Sequence, residues 1–190
     1  MPLNVRSVEY RDIPERVRWF NHSGVHTHMI LGVPVSEFAT KQWLERVVAD
    51  QNRRDVTFVD EARAETDEVP VAMGGLTGID FQHSHAELYV VTAPEFMGKG
   101  IGTLATQWLC DYGFIALNLN RIFLHTHAEN VGARRLYEGL GFAQEGVLRG
   151  HAFHLGRYVD RYVHGLLRSE WKEQDWRRTS DADLMAEFGG

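Results

Sequence analysis

Apolar residues recur along the chain with two periods, one typical of strands and one typical of helices. Residues 3–10 alternate between apolar and polar positions, and residues 56–59 and 71–79 are apolar runs of strand length, so three strands are predicted. Residues 13–21 fit a short helix. Ser36 is the predicted N-cap of a longer helix whose apolar positions share one face: Phe38, Trp43, Leu44 and Val47.

The second half of the chain predicts two further helices between strands. Residues 88–91 and 122–124 are short apolar runs that fit buried strands. One amphipathic helix has apolar residues at intervals of three and four, at Ile101, Leu104, Ala105, Trp108, Leu109, Tyr112 and Ile115. The other begins at Asn130 and ends before Gly141, which has the place of a C′ glycine. Two more strands are expected to close the sheet, at residues 142–153 and 158–167.

Glycine and polar residues mark the connections between these elements. Residues 22–34 contain two glycines and a proline, which predicts a loop or a broken helix. Residues 60–68 are polar and charged, as in an exposed hairpin turn. The pair Gly74-Gly75 lies inside a predicted strand and indicates either a bulge or a close approach of two backbones.

The length and composition of the chain fit one globular domain. It has 190 residues, of which 44% are hydrophobic and 24% charged. We expect residues 1–168 to form the domain and residues 169–190 to be a C-terminal tail outside its core. There is no apolar core of a signal peptide at the start and no run near the roughly 18 apolar residues of a membrane helix. We therefore expect a cytoplasmic protein that has no membrane partner.

Charge, cysteine and histidine content narrow the possible chemistry. A net charge of −6 argues against a nucleic-acid partner and is compatible with a cationic substrate. The single Cys110 excludes an internal disulfide framework. His83 with His85, and His125 with His127, have the i, i+2 spacing that puts both side chains on one face when the segment is a strand. Neither pair has a convincing third ligand for zinc, so no metal is expected, and the second pair is expected to face substrate or solvent.

The segment Met97-Gly98-Lys99-Gly100-Ile101-Gly102 lies between an apolar strand and a helix that starts near Thr103. A glycine-rich turn at a helix N-terminus binds anions, because its backbone N–H groups are unpaired and the helix dipole favours negative charge. A phosphate-bearing cofactor is therefore indicated. The spacing fits neither the Walker loop, which needs Ser or Thr after Lys, nor the dinucleotide fingerprint G-x-G-x-x-G.

Four blocks in the chain resemble the GCN5-related N-acetyltransferase (GNAT) superfamily, in its order and spacing, over about residues 3–168. The glycine turn falls on the family motif Gln/Arg-x-x-Gly-x-Gly/Ala, with Met97 in place of the usual Gln or Arg. The other three blocks are the strand and turn at residues 86–96, the helix at residues 127–137, and the hairpin region at residues 140–160.

The resemblance implies both a fold and an acyl donor. The implied fold is α+β, with a mixed, mostly antiparallel central sheet of about seven strands, helices on both faces, and strands 4 and 5 splayed apart. The implied donor is acetyl-coenzyme A. Its pyrophosphate would lie on the backbone of Met97, Gly98, Lys99, Gly100, Ile101, Gly102 and Thr103.

The resemblance also assigns roles to residues around the donor. A backbone N–H near Val90 or Val91 would polarise the thioester carbonyl. Tyr137 would be the general acid for the coenzyme's sulfur, and Glu87 the general base for the amine, directly or through water. Three residues of the helix block would contact the coenzyme: Asn130, which is also a possible N-cap, Ala133 and Arg134, the last near its phosphates.

The acceptor amine is less defined by the sequence than the donor. Several blocks resemble spermidine N-acetyltransferases, so a polyamine is the first candidate. However, residues 22–34 contain three histidines and no carboxylate, unlike the acidic polyamine site of those enzymes. Two alternatives are a protein N-terminal acetyltransferase of the ribosomal-protein alanine type and a non-catalytic acyl-coenzyme A-binding module. A homodimer is expected by analogy with the family.

Overall fold

A computed structural model describes residues 3–29, 34–60 and 68–177. Seven strands form one sheet in the order β1-β2-β3-β4-β5-β7-β6. Neighbouring strands are antiparallel except for β4 and β5, which are parallel, so the α+β fold implied by the family resemblance is confirmed. The strands are β1 Leu3–Ser7, β2 Arg54–Asp60, β3 Pro70–Asp80, β4 His85–Thr92, β5 Arg121–His127, β6 Ala143–His154 and β7 Arg157–Leu167.

Helices cover both faces of this sheet. They are α1 Ile13–Phe20, α2 Ser23–His26, α3 Glu37–Ala49, α4 Ile101–Ile115, α5 Val131–Gly139 and α6 Arg168–Trp171. The helices α4 and α5 pack on one face, where Trp108 meets Phe58 edge to face with ring centroids 5.8 Å apart. On the other face α1 and α2 pack against Met73 and Val91, and α3 packs on α1. None of the helices in the described ranges is long and apolar enough to span a bilayer.

The sheet opens between its two parallel strands. Only three residue pairs join β4 to β5, from His85 with Arg121 to Glu87 with Phe123. Beyond that point β4 stays paired with β3 as far as Thr92, while β5 pairs with β7. Because each strand follows a different neighbour, a wedge-shaped gap separates them, as expected for strands 4 and 5.

Local sequence signals explain several element boundaries. Ser36 Oγ accepts a hydrogen bond from the backbone N–H of Ala39 at 3.1 Å, which confirms the predicted N-cap of α3. Gly141 follows α5 with φ +93°, a left-handed conformation that suits a C′ glycine.

Two further sequence predictions concern packing. A Cβ at Gly74 would lie 2.8 Å from the carbonyl oxygen of Tyr89, so this glycine permits a close approach of two strands. Phe38, predicted to face inward, is exposed instead.

The packed unit continues past the predicted domain boundary at residue 168. Trp171 in α6 is 5% exposed and lies in the same apolar core as α4. Its ring centroid is 5.1 Å from that of Phe114, and its Nε1 donates a hydrogen bond to Asp111 at 2.8 Å. The start of the predicted tail is thus part of the core. Residues 178–190 of that tail, 30–33 of the predicted loop and 61–67 of the predicted turn lie outside the described residues.

Candidate active site

A cavity of about 600 Å³ occupies the gap between β4 and β5. Its lining passes from one face of the sheet to the other. The turn before α4 and the helix α5 form one end of the cavity, which we call the glycine end. The helix α2 and side chains of β4, β5 and β7 form the other end, which we call the histidine end. All the predicted site residues line this cavity except Lys99, Ile101 and Arg134.

The turn before α4 has the geometry of an anion site. Gly98 and Gly100 have φ of +73° and +82°, which an L side chain rarely adopts, and a Cβ at either position would meet open space. Across the described residues, four backbone N–H groups of this turn have no acceptor within the chain: those of Gly98, Gly100, Ile101 and Gly102. Four unpaired donors at the start of a 15-residue helix suit a pyrophosphate.

The register of β4 identifies one more backbone N–H that faces the gap, outside the glycine turn. Ala93 N–H donates to the carbonyl oxygen of Val71 at 2.9 Å, and Val91 pairs with Met73 in the same antiparallel ladder. Because hydrogen-bonded and non-hydrogen-bonded pairs alternate in such a ladder, the N–H of Val90 points away from β3. It therefore faces the gap, where β5 has already diverged. Of the two predicted residues, Val90 has the orientation needed to bind a carbonyl oxygen.

Tyr137 lies in the wall of the cavity at the glycine end. Its side chain is 9% exposed and packs edge to face on Phe142, with ring centroids 5.7 Å apart. Burial raises the pKa of this phenol well above its usual value, and the nearby Cys110 acts in the same direction. The hydroxyl therefore stays protonated at neutral pH. Within the described ranges it has no hydrogen-bond partner, so it is available to donate.

The other residues predicted on α5 fall on different sides of that helix. Asn130 caps it, because its Oδ1 accepts a hydrogen bond from Ala133 N–H at 3.0 Å, and both residues line the cavity. Arg134 does not reach the cavity, since its guanidinium lies 4.9 Å from the ring centroid of Tyr162. Two predicted turn residues also point elsewhere: Lys99 lies over Phe96, and Ile101 is buried in the core.

The histidine end combines one carboxylate with several nitrogen bases. Glu87 Oε1 lies 2.7 Å from His125 Nδ1, so β4 and β5 remain joined through side chains just where their backbones separate. His127 is 3% exposed and Arg161 is its cross-strand partner on β7, which puts both side chains on one face. Burial lowers the pKa of each, and for Arg161 the charge of Glu87 opposes that effect.

A profile of the acetyltransferase (GNAT) domain matches residues 3–143 of the chain. The chain belongs to the GNAT acetyltransferase family. It is 40% identical over 96 residues to a spermidine N(1)-acetyltransferase of Vibrio cholerae, a match that covers 50% of this chain and 56% of that protein. It is 35% identical over 100 residues to a putative ribosomal N-acetyltransferase of Bacillus subtilis, covering 53% of this chain and 55% of that protein.

The similarity to solved GNAT structures extends further along the chain. The crystal structure of spermidine N-acetyltransferase from Vibrio cholerae in complex with CoA and spermine superposes with a TM-score of 0.83 at 27% identity, covering 90% of this chain and 98% of that one. By sequence, in contrast, the chain spans about half the length of the curated relatives it matches.

Sequence reasoning missed part of the histidine end of this GNAT site. No motif in the sequence marks Arg161 as a site residue, because its position beside His127 depends on the pairing of β5 with β7. His28, two residues after the end of α2, also lines the cavity, together with Met29. The expectation that His125 and His127 face substrate is compatible with their positions in the lining. In the part of the chain that the structure describes, no three His, Cys, Asp or Glu side chains are grouped to hold a metal ion.

Proposed function

We propose that this GNAT protein is an acetyl-coenzyme A-dependent N-acetyltransferase that transfers acetyl to a primary amine of a small molecule by direct attack. One observation carries the proposal: a single cavity joins an anion site at Gly98–Gly102, the N–H of Val90 that faces the gap, and the protonated hydroxyl of Tyr137. In the reaction of a thioester that carries a diphosphate, the first group would bind the diphosphate, the second would polarise the carbonyl, and the third would protonate the departing sulfur.

Acetyl-coenzyme A fits the residues present as the acyl donor. Its diphosphate would be held by the free N–H groups of the glycine turn, and no side chain fills the space in front of Gly98 and Gly100. The amide of Asn130 and the backbone of Ala133 would border its pantetheine arm. Because Arg134 lies over Tyr162, we assign it no contact with the phosphates.

The chain's own groups divide the transfer between them. Val90 N–H stabilises negative charge on the carbonyl oxygen as the amine attacks. Tyr137 donates a proton to the departing sulfur. The ammonium form of the amine has a pKa of about 10, so at neutral pH it must first lose a proton. Glu87, together with the His125 that it contacts, provides the basic groups at the histidine end.

A polyamine such as spermidine is the first candidate acceptor. Its support is the similarity to spermidine N-acetyltransferases, both in sequence and in structure. The negative net charge of the chain and the carboxylate of Glu87 favour a cationic amine.

A peptide N-terminus is the second candidate, and the charge of the cavity favours it. Glu87 is the only carboxylate among the described lining residues, where it shares the histidine end with Arg161 and three histidines. One carboxylate balances the single charge of an α-amine better than the several charges of a polyamine. The putative ribosomal N-acetyltransferase among the relatives supports the same alternative.

A panel of acceptors tests the function and ranks the candidates. Purified protein is mixed with acetyl-coenzyme A and spermidine, putrescine, single amino acids or short peptides with N-terminal alanine. Thiol release is followed, and the acetylated product is identified by mass. Release with spermidine supports the first candidate, and release only with peptides supports the second. Tight coenzyme binding without release from any amine would contradict the proposal and favour a non-catalytic binding module. The cytoplasmic location and the homodimer stay predictions.

A further inference from the structure

We infer that His125 is the proton acceptor for the amine and that Glu87 is its positioning residue. This inference rests on the proposed N-acetyltransferase function and changes the role predicted for Glu87. It is carried by the contact between Glu87 Oε1 and His125 Nδ1, at 2.7 Å, and by the positions of the two residues along the diverging strands.

The contact fixes which nitrogen of His125 is basic. An ionised carboxylate only accepts hydrogen bonds, so in the neutral ring Nδ1 must carry the proton that it donates to Glu87. The lone pair is then on Nε2. No described residue hydrogen-bonds to Nε2, and the ring lines the cavity. This is the arrangement by which a carboxylate orients a histidine and stabilises the imidazolium that forms when the ring takes a proton.

Along the strand direction, the register puts His125 closer than Glu87 to the level of Val90. Glu87 pairs with Phe123, so His125, two residues further along the parallel strand β5, is level with Tyr89. Val90, whose N–H faces the gap, is one residue beyond that level. At about 3.3 Å per residue, Glu87 is about 10 Å from Val90 along the strand, whereas His125 is about 3 Å from its level. A base must reach the attacking nitrogen directly or through one water.

Charged and titratable groups of both signs surround His125. The charged or titratable side chains facing it are Glu87 on β4, His127 on its own strand, His151 on β6 and Arg161 on β7, with His28 at the same end of the cavity. Glu87 stabilises the imidazolium, and the positive charge of Arg161 opposes it.

Every proton in the proposed transfer can be accounted for. The ammonium gives one proton to Nε2 of His125, and the resulting amine forms a bond to the carbonyl carbon. The carbon–sulfur bond breaks, and the sulfur takes a proton from Tyr137. The nitrogen then releases its second proton, which restores the Tyr137 hydroxyl, and keeps its third as the amide N–H. His125 finally returns its proton to solvent.

Variants of the two residues test the inference with any amine that the wild type acetylates. We expect His125→Gln to lower kcat/KM for an ordinary alkylamine at pH 7 by about 100-fold or more, the contribution of a general base. Glu87→Gln should lower it comparably, and the double variant should lose little more, because both changes disable one base. His83→Gln changes an exposed histidine outside the cavity and should match the wild type. Coenzyme affinity measured by calorimetry confirms that each variant is folded.

A weakly basic amine as acceptor distinguishes a role of His125 as a base from a structural role. A primary amine that is already neutral at pH 7 does not need the base, so His125→Gln should acetylate it nearly as fast as the wild type. With an alkylamine, the loss should shrink as the pH approaches about 10, where the free amine forms without help. Equal losses with both amines, or a large loss in Glu87→Gln alone, would overturn the inference and leave the proposed function intact. No turnover by the wild type with any amine would instead reject the function itself.

Discussion

Tyr137 shows how the surroundings of one residue prepare it for a single chemical role. Its ring is held by Phe142 and the core beside α4, the residue lines the cavity, and its hydroxyl has no hydrogen-bond partner among the described residues. Burial raises the pKa of the phenol, so Tyr137 keeps its proton at neutral pH and still carries it when a thiolate departs beside it.

Replacing Tyr137 with Phe should separate catalysis from binding. The ring and its packing are kept, so the dissociation constant for acetyl-coenzyme A should stay nearly unchanged, while kcat falls by about 100-fold because the proton donor is lost. Calorimetry and the thiol-release assay measure the two quantities. A parallel loss of affinity and kcat would indicate that Tyr137 supports the fold instead of donating a proton.

Buried histidines should make stability depend on pH. His164 is fully buried, both its ring nitrogens have no partner among the described residues, and burial lowers its pKa, as it does for His127. The unfolded chain, with a histidine pKa of about 6.5, then binds more protons than the folded one. The stability that each neutral ring provides is present above that value and is lost as pH falls through the lower folded pKa.

His164→Leu should therefore flatten the pH dependence of the free energy of unfolding between about pH 7 and 5. Urea titrations at several pH values measure it, with His83→Gln as a control that changes an exposed histidine. An unchanged slope in His164→Leu would show that His164 does not contribute to acid sensitivity.

At the scale of elements, the turn that precedes α4 combines two constraints on its glycines. Gly100 needs φ of +82°, and the space in front of it must stay empty for an anion. Gly156 in the β6–β7 turn has φ of +84° with the same open surroundings but lies away from the cavity. The two positions therefore share the conformational requirement and differ only in the proposed ligand.

Gly100→Ala and Gly156→Ala form a matched pair for that reason. Each should cost about 1–2 kcal/mol of stability through the left-handed backbone. Only Gly100→Ala should also weaken acetyl-coenzyme A binding, by about tenfold to 100-fold, because a methyl group disturbs charge-assisted hydrogen bonds to the diphosphate. Thermal unfolding measures the loss of stability, and calorimetry measures the affinity for acetyl-coenzyme A. Equal coenzyme affinity in both variants would argue against this anion site.

Helices and strands whose ends depend on neighbouring residues could be predicted from the sequence. Contacts between elements that are distant along the chain could not. Helix α4 begins at the predicted glycine turn, and α5 has the predicted Asn130 cap, because periodicity and capping act within a few residues. Arg161 joins the site only through the pairing of β7 with β5. Arg134 shares a helix with Tyr137 but turns to Tyr162, and the family motif alone does not indicate that rotation.

For the whole molecule, the core holds together elements from both ends of the chain. Trp171 packs against α4 with 5% of its surface exposed, although the family resemblance ends before it and predicts a tail there. Two tryptophans in a polar segment gave too weak a periodic pattern to predict a core position. The seven-stranded sheet and its gap followed from the family resemblance, since local signals predict individual strands and not their order.

Trp171→Ala should lower the free energy of unfolding by about 3–5 kcal/mol, the usual cost of removing a large buried aromatic side chain. Phe38→Ala removes an aromatic residue that is 71% exposed and should change it by less than about 0.5 kcal/mol. Urea unfolding compares them. A small effect at Trp171 would mean that α6 is dispensable to the packed domain.

The most direct measurement is a crystal structure with acetyl-coenzyme A bound. We expect its diphosphate on the N–H groups of Gly98–Gly102, its thioester oxygen within hydrogen-bonding distance of Val90 N, and its sulfur facing the Tyr137 hydroxyl. A coenzyme bound outside the gap between β4 and β5, or a gap that stays empty at saturating coenzyme, would contradict the assignment of this cavity to acyl transfer.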